Sequence, residues 1–210
     1  MNNGKSIILS TAYLPPVNYF AIIASGVDIK IEKFENYQKQ SYRNRCHIYS
    51  ANGLLSLNIP VVREGAIHNP VSGTRIDYSE NWQIKHWRAI ESAYKSSPYF
   101  DYYRDEFYPL ILEHKSEYLF DYNLELINIL IKLTGIDGSI GVTERFVKDY
   151  GEYDFRDSFH PKRRETETKN GQYLQVFAHK YGYIDNLSII DLLFNKGPET
   201  KDLLLLKLEA

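Results

Sequence analysis

Residues 6–32 read SIILSTAYLPPVNYFAIIASGVDIKIE, and this stretch decides the fold. Residues 6–10 form a short apolar run of the kind found in buried strands. Tyr13-Leu14-Pro15-Pro16 then breaks the chain, and its prolines preset the first turn of a short helix over 17–24. Gly26 stops that helix. Val27, Ile29 and Ile31 next alternate with Asp28, Lys30 and Glu32, the period of a half-buried strand. Strand, helix and strand in immediate succession make a compact, right-handed βαβ unit with a parallel strand pair.

Outward from this unit, 46–50 and 54–59 flank Ala51-Asn52-Gly53, and Asn-Gly between alternating segments is a strong hairpin signal. A loop over 64–73 and an edge strand over 75–78 follow. From Trp82 the period becomes helical, with Trp82, His86 or Trp87, Ile90 and Ala93 or Tyr94 on one face. Further helices are predicted over 102–114, kinked at Pro109, and over 121–133, closed by Gly135. Residues 138–161 read as irregular with a short helix at 143–150, and 173–178 as a helical turn or a strand. Ser188 and Asp191 form a capping box for a helix over 189–194 that Gly197-Pro198 ends, and 203–208 form a closing helix. The expectation is an α/β fold. The βαβ unit and the Asn-Gly hairpin form a mixed sheet, and a mostly helical C-terminal half follows. A single domain spans 1–210, strand-rich over 1–80 and helix-rich over 81–210.

The chain has 210 residues, 25 Lys and Arg against 27 Asp and Glu, and 43% apolar residues. That excludes a disordered chain and a basic nucleic-acid binder. No apolar run approaches the roughly 20 residues that span a bilayer, and Ile7-Ile8-Leu9 is too short for a signal-peptide core. The single Cys46 forbids an intrachain disulfide and a multi-cysteine zinc site, and the six histidines are scattered. The chain is therefore expected to be cytoplasmic, without metal, cofactor, nucleic-acid partner or membrane insertion, with its oligomeric state open. Tyr 18, Phe 10 and Trp 2 make it rich in rings whose polar tips suit half-wet clefts. The edge of a large core accounts for many of them.

Glycine-rich phosphate loops, an H-E-x-x-H helix and a nucleophile elbow are all absent. Four constellations remain. Residues 13–20 place a helix N-terminus after the first strand, where backbone N–H groups suit an anion and where open α/β sheets bind ligands. Lys39, Arg43, Asn44 and Arg45 gather cations whose forks fit phosphate or carboxylate. Residues 82–94 carry His86 between two tryptophans on the inward face, as a general acid or base or as a satisfied core histidine. Asp154 and Arg156 lie in a long polar loop that suits a functional or mobile segment, followed by a solvated charge run over 162–167.

The set YLPPVNYF, YRNRC, NGLLSLNIPV, KHWRAIESAY with SPYF, and LSIIDLLFNKGP resembles the bacterial WbqC-like family, in the family's order, from Tyr13 to Pro198. Many members open with Gln-Pro-x-Tyr-Leu-Pro. This chain has Ser10-Thr11-Ala12-Tyr13-Leu14-Pro15 instead, so no role of that glutamine carries over. The resemblance implies a place in surface-polysaccharide (O-antigen) biosynthesis and, by a suggestion made for some members, transfer of glycine to an amino sugar. It supplies no catalytic residues. The shared motifs fall on 13–20, 43–45, His86, Tyr94 and 188–197.

The expected function is transfer of a glycyl or acyl group to a nucleotide-linked or phosphorylated amino sugar. Arg43, Arg45 and Lys39, with Asn44, hold phosphate. Tyr13 and Tyr94 face the sugar ring, and Asn18 and Arg156 complete the substrate contacts. His86 or Asp154 takes the proton from the attacking amine, and the helix start after Pro16 supplies oxyanion donors. A non-catalytic sugar- or partner-binding module is the alternative, and nucleotidyl transfer a weaker third.

Overall fold

The apolar run after Ser6 forms strand β1 (Ile7–Ser10), and the chain turns at once through Tyr13-Leu14-Pro15-Pro16 into helix α1 (Val17–Ala24). Leu14 is held at φ 39°, a left-handed conformation that a leucine adopts only when its surroundings over-determine it. Three hydrogen bonds do so. Tyr13 N–H donates to Tyr42 O at 2.8 Å, Ser188 Oγ to Leu14 O at 2.8 Å, and Ile189 N–H to Pro15 O at 2.8 Å. Strand β2 (Ile29–Glu32) then pairs parallel with β1, Ile7 opposite Ile29 and Ser10 opposite Glu32. The βαβ unit is as expected. These features come from a computed structural model that describes residues 6–62, 69–162 and 171–208. Residues 64–68 of the expected loop and 163–167 of the charge run lie outside the described residues.

The class is α/β, but the hairpin does not join the first sheet. Strands β3 (Arg45–Ser50) and β4 (Gly53–Asn58) form a two-stranded antiparallel sheet of their own. The reason lies in what occupies the edges. Ser188 N–H bonds to His47 O on the rim of β3, and Phe155 N–H bonds to Ile8 O on the open side of β1. Over 75–78 there are only isolated bridges, Val61 to Ile76 and Arg75 to Tyr118.

Helices α2 (Trp82–Tyr94), α3 (Phe100–Leu112) and α4 (Leu119–Leu133) follow, with Pro109 inside α3 and Gly135 at φ 68° just past α4. Then the prediction fails. Residues 140–142 are not irregular, and no helix forms over 143–150. Strand β5 (Ile140–Val142) adds to the far side of β2, giving the parallel order β1-β2-β5. The chain then crosses the sheet with a single 3-10 turn at Gly151–Tyr153 and no α-helix, and comes down beside β1, where Asp154 bridges Ile8 in parallel. The last third holds a one-turn helix α5 (Ala178–Tyr181), then α6 (Ile189–Lys196) and α7 (Thr200–Leu208). Ser188 caps α6 by position, yet its hydroxyl bonds Leu14 O, so the expected capping box is not made.

Alternation along β1 and β2 gives the parallel sheet two different faces. Leu9, Ile29 and Ile31 are buried in the core on the side of α1. Ile8, Ser10, Lys30 and Glu32 look the other way, toward the crossover. A helix usually covers such a face in a parallel sheet. Here an irregular segment does, and it leaves space.

Candidate functional site

That space is a cleft of about 740 Å³, within the range of small-molecule sites. Its floor is Ile8 and Lys30, neighbours across the β1–β2 pair. Its wall is the crossover, chiefly Thr143, Arg145, Tyr150 and Tyr153. Gly141 lies beneath the Lys30 stem, and a Cβ there would stand 3.3 Å from Lys30 Cγ, so a bare backbone gives the lysine its room. Lys30 and Arg145 line the cleft together with the acids Glu144 and Glu152. The arrangement presents two cations, two carboxylates and two phenol rings to one opening, which suits a ligand that carries an anionic group, a cationic group and a ring.

Beyond the floor, the carboxyl ends of β1 and β2 run into a buried charge network. Arg43 is buried and grips Glu35 with both arms of its fork, Nε to Oε1 at 2.9 Å and Nη2 to Oε2 at 2.5 Å, while Nη2 also reaches Ser10 Oγ at 2.8 Å. Burial pushes the Glu35 carboxyl up and the Arg43 bonds oppose it. Glu32 is fully buried, and its Oε1 accepts from Phe34 N–H at 2.8 Å and from the Thr143 hydroxyl at 2.9 Å. Its Oε2 has no hydrogen bond and lies 3.6 Å from Arg156 Nη1. Arg156 also bonds both carboxylate oxygens of Asp154, through Nε at 2.8 Å and through Nη2, and it donates to Lys148 O at 3.0 Å. Those hydrogen bonds hold Asp154 below the usual carboxylate range.

Residues 11–155 match the WbqC-like protein family. The chain belongs to that family. The matched stretch begins at the carboxyl end of β1 and ends at Phe155, whose N–H closes the crossover onto Ile8. It therefore contains both sheets' later strands and the whole cleft wall. The uncharacterized protein Rv1507c of Mycobacterium tuberculosis (strain ATCC 25618 / H37Rv) is 27% identical over 225 positions, covering 95% of this chain and 97% of the relative. No solved structure matches the chain.

In this WbqC-like protein the residues singled out from sequence do not assemble into one site. Asp154 and Arg156 follow the cleft wall in sequence but do not line the cleft; Arg156 lies at the carboxyl end of β1, beside Ser10. Arg43 is on the buried side of the same network, committed to Glu35. Lys39 is exposed on the turn before it, and Arg45 reaches across the hairpin to Asn58 Oδ1 at 2.6 Å. Arg43 and Arg45 do not act together on one ligand: β3 begins only at Arg45, and strand alternation does not govern Arg43. Asn44 donates to Ile59 O at 2.8 Å and stitches the base of the hairpin.

Tyr13 and His86 are a buried pair. Tyr13 Oη and His86 Nδ1 are 2.9 Å apart, and His86 Nε2 lies 3.2 Å from Asn58 O. With Nε2 as donor to that carbonyl and Nδ1 as acceptor from the phenol, both ring nitrogens are engaged. Burial pushes the imidazole down to about 4, so it is neutral at pH 7. This is the core-histidine reading of the motif. Tyr94 is buried too, its oxygen 3.3 Å from Tyr49 N and beside the Asp191 carboxyl. The helix start after Pro16 is spent on the chain itself. Val17 N–H donates to Leu187 O at 2.8 Å and Asn18 N–H to Asn186 Oδ1 at 2.9 Å, which removes the expected oxyanion donors.

Lys30, Arg145 and Tyr150 were not singled out from sequence. Lys30 is the polar member of an alternating strand, a position that reads as solvated surface. The signal available was Gly141 between Ile140 and Val142, because a glycine inside a strand marks close approach by another group. No group of three or more His, Cys, Asp or Glu among the described residues could hold a metal ion. No helix among them is long and apolar enough to cross a membrane.

Proposed function

We propose that the protein takes a phosphorylated or nucleotide-linked amino sugar in the cleft between the parallel sheet and the crossover, and serves transfer of a glycyl or acyl group to it. One observation carries the reading: Lys30 and Arg145 share one opening with Tyr150, Tyr153 and the carboxylates of Glu144 and Glu152. Cations of this kind hold a phosphate, and a phenol ring packs on the apolar face of a sugar or base. The carboxylates of Glu144 and Glu152 in the same lining suit the substrate's ammonium. The polysaccharide setting rests on the family resemblance.

Calorimetric titration with UDP-N-acetylglucosamine and glucosamine 6-phosphate tests the reading. Wild-type protein is expected to bind one of them, and the Lys30→Ala, Arg145→Ala double variant at least about tenfold more weakly, the scale of two charge-assisted contacts. Absence of binding, or equal binding by the double variant, overturns it. The alternative is a non-catalytic binding module. It is favoured by the deep burial of His86, which leaves the cleft without an imidazole base. Binding without acylated product, in the presence of glycine and ATP or of acyl carriers, selects that alternative.

A further inference from the structure

Arg156 does more than neutralise Asp154. Its guanidinium carbon lies 5.3 Å from the Phe146 ring centroid and 5.1 Å from that of Tyr150, so the planar group is stacked against two rings of the crossover. Its Nη2 donates to Lys148 O, between those two rings in sequence. Its own carbonyl accepts from Ser10 Oγ at 2.8 Å, which anchors the residue to the end of β1. The crossover is pinned to the sheet at its two ends, by Thr143 N–H to Ile31 O at 3.1 Å and the Thr143 hydroxyl to Glu32 Oε1 at 2.9 Å, and by Phe155 N–H to Ile8 O at 2.9 Å. Between these ends Gly151 N–H bonds Asp149 Oδ1 at 2.7 Å and Asp154 N–H bonds Gly151 O at 3.1 Å, within their own turns. Phe146 is 52% exposed and does not line the cleft, whereas Tyr150 does. Between its pinned ends the segment meets Arg156 through the Phe146 and Tyr150 rings and the Lys148 carbonyl.

We infer that Arg156 is the positioning residue of the cleft: it latches the crossover over the sheet and thereby sets Tyr150 and Arg145 as the ligand's wall. This rests on the reading of the cleft as the ligand site. A flat, delocalised cation suits the task because it can stack on both rings while its edge serves two carboxylates and a carbonyl; a lysine can do only one of these at a time. The ligand meets the latch indirectly, since any fraction of molecules with the crossover released lacks a binding wall and weakens apparent affinity in proportion.

Hydrogen–deuterium exchange on the full chain tests this without a ligand. In Arg156→Met the amides of 146–155 are expected to exchange at least about tenfold faster than in wild type, with α4 unchanged. In Phe146→Ala the same amides speed up about threefold, and Phe146→Tyr, which keeps the ring, restores the wild-type rate. UDP-N-acetylglucosamine is expected to bind Arg156→Met at least about fivefold more weakly, and Arg156→Lys, which keeps the charge, does not restore it. Unchanged exchange at 146–155 in Arg156→Met, or wild-type affinity while that segment exchanges fast, overturns the latch. If Arg156→Met also loosens α4, the Phe146 pair decides, since that ring is exposed and outside the cleft; identical rates for Ala and Tyr there overturn the proposal. Wild-type protein that fails to bind the probe sinks the cleft reading, and the exchange results still decide the latch.

Discussion

At the scale of single residues, His86 illustrates how burial turns a reactive group into a structural one. Both its nitrogens are bonded inside the core, so removing the ring leaves a phenol and a carbonyl without partners as well as a void. His86→Ala is expected to lower stability by about 2–4 kcal/mol, a drop of roughly 5–10 °C in Tm for a chain of this size. Probe binding per folded molecule should be unchanged. A variant that keeps its Tm and loses binding would return His86 to the site. Its pH signature follows from the depressed value. The stability held by neutral His86 is fully present above the ordinary 6.5 and is lost as pH falls through about 4. Asp191 behaves oppositely. It is fully buried with Tyr173 Oη 2.6 Å and Gln175 Nε2 3.2 Å from its Oδ2, and burial pushes it up to about 6 from an ordinary 3.8. A raised carboxyl stabilises the fold most when protonated, so its contribution is present below 3.8 and lost as pH rises through about 6. Asp191→Asn removes that titration. The Tm difference, variant minus wild type, is expected to grow in the variant's favour between pH 4 and pH 8, and a constant difference would refute the assignment.

Between elements, the junction of α6 with the turn at Gly197–Glu199 depends on a glycine for two reasons at once. Gly197 has φ 53°, and a Cβ there would fall 2.5 Å from the Tyr99 ring. Gly197→Ala therefore adds backbone strain to a clash with a ring that is itself packed against the core, and about 2 kcal/mol or more of destabilisation is expected in thermal melts. This junction was legible in the sequence because Gly-Pro after an apolar helix is a strong stop signal. So were α1 and α4, each followed by a stop at Gly26 or Gly135, and α2, whose 3.6-residue period marks one buried face. The crossover was not legible. Phe146 and Tyr150 are spaced four apart, a helical pattern, but they pack on Arg156 in the irregular segment that follows, which is itself tied to Ser10 and Glu32 of the sheet. Three strand residues at 140–142 are also too few to show a period. The candidate site suffered for the same reason: its floor comes from β1 and β2 and its wall from 143–153, and no local motif joins them. Arg43 misled because a buried bidentate ion pair and a phosphate grip use the same guanidinium chemistry, and only its partner Glu35 tells them apart.

For the molecule as a whole, the distribution of charge matters more than its sum. The chain carries a net charge of −2, and most of the described lysines and arginines that pair do so with a nearby carboxylate, as in Arg75 with Glu117, Lys85 with Glu80 and Lys207 with Asp185. Lys30 and Arg145 line the cleft. An anion approaching a slightly acidic protein is repelled at long range, so binding energy at that opening comes from short-range contacts in a partly screened site. Salt weakens such contacts where water reaches them. Raising NaCl from roughly 50 to 500 mM is expected to weaken a phosphate-bearing probe by about tenfold in wild type, and by much less in Lys30→Ala, Arg145→Ala, because the charges that salt screens are gone. The same titration with an uncharged sugar should show little salt dependence in either protein. If the double variant keeps the full salt dependence, the anion is held elsewhere on the molecule and the cleft is not its site.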